Sequence, residues 1–149
     1  MPSSGPAALR LVNTAAMLPE FTVRRARRGD FARVRALLGV RPDASRAERK
    51  RFRRLVGTLR EDLYVAEREG DAALAGLVVI AYVRGLGPAT AMVRELRGDA
   101  AAVAELLACA EARAAARGCA RLELHTDDPG ACDPLWEDAA RIRRRPVSS

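Results

Sequence analysis

The chain is poor in the residues that carry most acid–base, metal and stacking chemistry. Of 149 residues one is histidine, three are cysteine, and aromatic side chains make up 4%. Cys109, Cys119 and Cys132 are odd in number and lack metal-ligand spacing. That argues against a disulfide framework and against a bound metal, and it fits a reduced, cytoplasmic protein. Few aromatics argue against a module that stacks nucleic-acid bases. Long apolar runs are missing too. The longest, residues 72–83, is interrupted by Gly76 and is too short to span a bilayer, so no membrane association is expected. The first residues lack a basic stretch followed by an apolar segment and a small-residue cleavage site, so no secretory signal is expected either. Lysine occurs once, at Lys50.

What is present is a 49% hydrophobic fraction, enough for a core in a chain of single-domain size. The net charge of +7 is unevenly placed: residues 24–60 hold 14 Lys/Arg against 3 Asp/Glu, and the remainder holds 12 against 16. A block this basic attracts a polyphosphate ligand, an acidic protein or nucleic acid. A composition rich in arginine and alanine throughout accounts for it as well.

Residues 1–20 read as a loose arm and residues 21–149 as one domain. Residues 21–25 alternate as a short strand. Asp30 is placed to cap a helix that carries Phe31, Val34, Leu37 and Leu38 on one face. Ser45 and Glu48 fit a capping box. Phe52, Leu55, Val56 and Leu59 follow at helical spacing, with arginines opposite. Residues 62–68, 72–83 and 89–96 read as three strands at hairpin spacing, hence antiparallel neighbours. A third helix follows Arg97-Gly98-Asp99. It buries Val103, Leu106, Leu107, Ala110 and Ala114 and ends at Gly118. Residues 119–126 form a strand that the crossover predicts to be parallel to its neighbour. A last short helix is expected around Leu135, Trp136 and Glu137, and the tail from residue 141 reads as a stub.

This α/β (α+β) order resembles the GNAT superfamily of acyl-CoA-dependent N-acyltransferases, whose mixed, mostly antiparallel central sheet carries helices on both faces. In that family the fourth strand runs into a loop of pattern Arg/Gln-x-x-Gly-x-Gly/Ala. Its amides, at the start of the third helix, bind the coenzyme A pyrophosphate. Arg97, Gly98, Asp99, Ala100, Ala101 and Ala102 fall on that pattern, with Ala100 where glycine is usual and Asp99 bringing a negative charge towards the anion. The stretch LELHTDDPGACDPLWEDAARI, residues 122–142, is similar to a second family segment, with Ala131, Leu135 and Glu137 in register and Asp128 where asparagine is common. Trp136 stands in place of a tyrosine that often protonates the departing thiolate, and an indole is no acid near neutral pH. Ala140-Arg141 replaces Gly-Phe. The family's final strand is expected to be missing, which makes this a divergent, C-terminally shortened member whose bare strand edge suggests a homodimer.

The resemblance implies an N-acetyltransferase that uses acetyl-CoA, without a metal, on a primary amine of an unidentified small molecule or protein. The amides around Met92, Val93 and Arg94 would hold the thioester carbonyl and pantetheine arm, residues 97–102 the pyrophosphate, and Trp136 would lie beside the cofactor. Glu95, on the same strand, and His125, near the acyl group, are the candidate bases; histidine titrates near neutrality. The competing readings are an arginine-paired surface carboxylate and a strand-end histidine bonded to a loop. Tyr64 and Tyr82 read as core or sheet-face residues. The basic block flanks the acceptor cleft of this fold and favours an acidic or carboxylate-bearing acceptor. Two other functions compete: a GNAT-fold binding or regulatory module without catalysis, which Trp136 and Ala100 favour, and a nucleic-acid binder, which the lack of a reader motif disfavours.

Overall fold

The computed structural model describes residues 20–41, 43–125, 137–139 and 142–146. Seven strands and three helices follow in the order β1 (Phe21–Arg25), α1 (Phe31–Leu37), α2 (Arg46–Gly57), β2 (Glu61–Arg68), β3 (Leu74–Val83), β4 (Ala89–Gly98), α3 (Ala100–Ala116), β5 (Cys119–His125), β6 (Glu137–Ala139) and β7 (Ile142–Pro146). They build one sheet in the order β1-β2-β3-β4-β5-β7-β6. Among the described strands only the β4–β5 pair is parallel. A parallel pair needs a long crossover, and α3 supplies it. Among the described residues no helix is long and apolar enough to cross a membrane, and no three His, Cys, Asp or Glu side chains gather as a metal site.

Helices cover both faces of the central strands, which is why β3 reads as a nearly continuous apolar run rather than as an alternating one. On one face Ala66, Val78, Ile80, Ala91, Val93, Leu122 and Leu124 pack beneath α3. On the other, Leu63, Val65, Leu74 and Leu77 meet Val34 of α1 and Phe52 of α2. The buried row of α3 is Ala102, Leu106, Ala110 and Ala114. The expected Val103 and Leu107 are only partly buried, and Ala102 takes the place nearest the sheet. Its small side chain is required there. A Cβ at Gly76 would lie 2.6 Å from the Arg97 carbonyl oxygen and 2.8 Å from Leu106 Cδ1, and one at Gly98 would lie 2.8 Å from the Ala75 carbonyl oxygen and 3.2 Å from Ala102 Cβ. Gly98 also sits at φ +140°, where other residues are strained. These two glycines, opposite one another across β3 and β4, let the start of α3 lie directly on the sheet.

α2 begins as its sequence predicts. Ser45 Oγ accepts from the Glu48 amide at 3.1 Å, and Glu48 accepts from the Ser45 amide at 2.7 Å. The start of α1 differs from expectation. Asp30 does not cap it with its side chain; a 3-10 turn at Arg28–Asp30 precedes it. The carboxylate instead accepts from the Arg27 amide at 2.7 Å and from the Arg24 guanidinium at 2.8 and 2.9 Å. Arg24 also donates to Glu67 of β2 at 2.7 Å, and Arg33 of α1 reaches the same Glu67 oxygen at 2.6 Å. Leu59 lies beyond α2 and is exposed.

The C-terminal part departs most from expectation. β7 is present and pairs antiparallel with β5 from Arg121↔Pro146 to His125↔Ile142, and β6 pairs with β7 at the sheet edge. The fold therefore has its final strand, and β5 offers no bare edge for a second subunit. Glu137 opens a strand rather than lying in a helix. The Ala131–Leu135 register, Cys132 and Trp136 lie outside the described residues.

The Arg24 network gives a pH prediction. Hydrogen bonds from Arg24 above all, and from the Arg27 amide, hold the Asp30 carboxyl at about 2, against an ordinary 3.8; Arg24 and Arg33 hold Glu67 at about 2. A carboxyl whose pKa is depressed by folding stabilises the fold above its unfolded pKa. That contribution is lost as pH falls through the folded value. For the buried Asp30 it is worth about 2 kcal/mol. Urea denaturation should therefore show stability falling steeply between about pH 4 and pH 2, and the Arg24→Gln variant should lose much of that dependence. Equal slopes for the two proteins would show that the network contributes nothing.

Candidate functional site

β4 is the strand that makes a site. It pairs with β5 as far as Val93↔Leu124 and then runs on through Arg94 to Gly98 without a partner on that side among the described residues. On its other side the register slips: Val79 faces Glu95 while Ile80 faces Val93, so Arg94 is an extra residue in a β-bulge. The bulge turns Arg94 and Glu95 together towards the α1–α2 side of the sheet. The open edge thus begins at the bulge and ends at the first turn of α3.

That first turn already holds an anion. Asp99 caps α3, its carboxylate accepting from the Ala102 amide at 2.9 Å, and Arg68 of β2 pairs with it at 3.2 Å. The Ala102 amide, and then Arg68, hold its carboxyl below the ordinary range. Asp99 is thus a fixed negative charge at the positive end of the α3 dipole. Ala100 and Ala101 expose the rest of the turn, and Ala102 is buried. Arg97 and Gly98 belong to β4 rather than to a loop.

On the α1–α2 side of β4 a cleft of about 890 Å³ opens between the two helices and the sheet, walled by Phe31, Phe52, Leu55, Leu77 and Val79 and reaching Arg94 and Glu95. Glu95 Oε1 lies 2.8 Å from Arg97 Nε. Met92 and Val93 pair with Glu123 and Leu124 of β5, so of the expected strand amides only those from Arg94 onward reach the open edge. His125 is the last residue of β5. Tyr82 is withdrawn from the chemistry: its hydroxyl donates to the buried Asp62 at 2.6 Å, and burial together with that carboxylate pushes its pKa well up. Burial raises Tyr64 too. Sequence reasoning missed Arg68 as the partner of Asp99, and it missed the bulge at Arg94. Gly76, which interrupts the apolar run, was the one available sign of the close approach of α3.

No family model matches the chain, and no curated protein matches it in sequence. Solved structures do resemble it. An acetyltransferase of Trypanosoma brucei superposes with a TM-score of 0.63 at 15% identity, over 72% of this chain and 84% of the other. The glucosamine-6-phosphate N-acetyltransferase of Arabidopsis thaliana gives 0.62 at 15% identity, over 72% and 82%. The fold is that of the GNAT acetyltransferases. A protein described as a transcriptional regulator, from Bacillus halodurans C-125, is similar as well, at 0.64 and 22% identity over 72% and 83%. The α1–α2 cleft reaches β4 at Arg94 and Glu95, and the strand runs on from there to the first turn of α3.

Proposed function

We propose that the protein is an acyl-CoA-dependent N-acetyltransferase acting on a primary amine. The observation that carries this reading is the β4 edge from Arg94 to Gly98, which has no partner on the β5 side among the described residues and joins a helix start at one end to the α1–α2 cleft at the other. Extended backbone with free N–H and C=O groups suits an amide-bearing pantetheine arm. The close glycine pair seats the first turn of α3 directly on the sheet, next to Arg97, where a ligand's phosphates would meet the helix start. Acetyl-CoA supplies the activated acyl group; the chain's own residues bind it, orient the amine and take up a proton. The amine nitrogen forms a bond to the acyl carbon, the carbon–sulfur bond breaks, the nitrogen gives up one proton, and the sulfur gains one to leave as free thiol. Such a transfer runs largely on positioning.

Glu95 stands on the cleft wall next to the bulge and is the described candidate to receive the amine proton, through a water, since Arg97 already holds one of its oxygens. His125, at the end of β5, is the second candidate. Thermal denaturation with acetyl-CoA or coenzyme A tests the binding step. A ligand held by the folded state alone adds about 2.7 kcal/mol at a hundred times its Kd, roughly 5–10 °C for a domain of this size. Arg97→Glu should lose most of that shift. Thiol release with a panel of amines then tests turnover.

Asp99 favours a second reading, in which the fold has kept its groove but fills the anion position with its own carboxylate and works as a binding module. No shift at millimolar coenzyme A would decide for it.

A further inference from the structure

We propose that the α1–α2 cleft selects acceptors that carry a carboxylate or phosphate beside the reacting amine, and that Arg51, Arg54 and Arg60 recognise that anion. The inference rests on the acetyltransferase reading for its chemistry and on the cleft alone for its charge.

The charge follows from who is paired with whom. Three carboxylates line the cleft, and each is already taken: Glu48 by Arg35 at 2.8 Å, Glu61 by Arg94 at 3.5 Å, and Glu95 by Arg97 at 2.8 Å. Arg51 and Arg54 of α2 and Arg60, in the turn into β2, line the same cleft, and among the described residues no carboxylate pairs with them. The cleft therefore carries an excess of positive charge over a mostly apolar floor. A low-dielectric wall strengthens and focuses such a field.

The remaining cations of α2 do not share this placement. Arg46, Arg49, Lys50 and Arg53 border a separate surface hollow on the helix. Arg51 and Arg54 are one turn apart, so they stand together on the edge of α2 that borders the cleft. A guanidinium binds carboxylate and phosphate in the same two-pronged way, so both anions fit. The reacting amine would then point towards Arg94 and Glu95, where the cleft meets the β4 edge.

Two matched pairs of primary amines test the charge: β-alanine against β-alaninamide, and phosphoethanolamine against ethanolamine. The proteins are the full chain and a triple variant, Arg51→Gln, Arg54→Gln and Arg60→Gln. All three positions are exposed and unpaired, so the variant should fold. Binding is read calorimetrically in the presence of coenzyme A, and turnover by thiol release from acetyl-CoA.

The anionic member of each pair should bind at least about tenfold more tightly, and the triple variant should lose about tenfold in that affinity and in kcat/KM for the amine. KM for acetyl-CoA should not change. Neutral amines bound as well as anionic ones, or no binding of either anionic probe at tens of millimolar while coenzyme A binds normally, would overturn the proposal and leave the enzyme reading intact. A rise in KM for acetyl-CoA with amine binding unchanged would assign the arginines to the cosubstrate's phosphates and would also overturn it. Arginine-dependent binding of the anionic amines without any thiol release would support the cleft while sinking the acetyltransferase reading.

Discussion

Asp62→Ala should destabilise the fold by about 3 kcal/mol and lower the melting temperature by roughly 6–12 °C. Asp62 is fully buried at the α3 side of β2. It is the common partner of Arg25 on β1 at 3.0 Å, Arg117 after α3 at 3.3 Å and Arg113 on α3 at 3.6 Å. Tyr82 on β3 donates to it as well. One carboxylate thus ties the last turn of α3 to three strands. Removing it leaves the guanidiniums without a counter-charge, and breaking a buried pair costs about 3–5 kcal/mol. The lower figure applies because Arg25 and Arg113 are partly exposed and can turn into water. Arg117 cannot do so as easily: it also bonds the Leu59 carbonyl at 2.8 Å and lies over the Tyr82 ring. Asp62→Asn keeps an acceptor for the tyrosine and the same volume, so it should cost less than alanine. Urea denaturation measures both. A loss below about 1 kcal/mol for the alanine variant would mean that the arginines re-pair in water without penalty.

The difference between what could and could not be read from the sequence follows the distance over which each feature is decided. Ser45 and Glu48 settle the start of α2 among themselves, so that helix is legible. Hairpin spacing places β2, β3 and β4, and the α3 crossover places β5. The same kind of local rule misassigns Asp30. It has the right position for a cap, but Arg24 and the Arg27 amide hold its carboxylate instead. The alternation of β2 puts Asp62 on a buried face, yet its partners lie at Arg25, Tyr82, Arg113 and Arg117, which only the folded sheet brings together. The tail IRRRP has no apolar period and looks like a stub; backbone pairing with β5 makes it a strand. The bulge at Arg94 is invisible for a related reason. An extra residue in one strand exists only relative to the register of the next. Of the candidate site, residues 97–102 carry the expected pattern in the sequence, whereas the β4 edge, unpaired on one side among the described residues, and the pairing of the cleft's charges depend on contacts between distant segments.

Asp99→Gly should bind coenzyme A about tenfold more tightly than the natural chain, the reverse of the usual result of changing a residue at a ligand's groove. Asp99 does two things at α3. It caps the helix through the Ala102 amide, and it places a negative charge where an approaching pyrophosphate meets the positive end of the helix dipole. Glycine is a tolerable cap, so the first role is lost at small cost. Removing the charge ends a repulsion between anions a few ångströms apart. It frees the Ala102 amide to donate to the ligand. It also takes from Arg68 one of three carboxylate partners, Asp99 at 3.2 Å, while Glu20 at 3.2 Å and Asp71 at 3.8 Å remain, so part of its charge becomes available to the phosphates. All three changes act in one direction. Asp99→Asn separates them, because its side-chain oxygen can keep the cap while the charge is gone, and it should gain only part of the affinity. Calorimetric titration with coenzyme A, at two salt concentrations, reads the effect; the gain should shrink at high salt if charge is its source. Unchanged or weaker binding in Asp99→Gly would place the pyrophosphate away from α3 and make Asp99 a structural cap alone. A gain that vanishes when Arg68→Gln is added would show that the arginine, rather than the helix terminus, is the main anion partner.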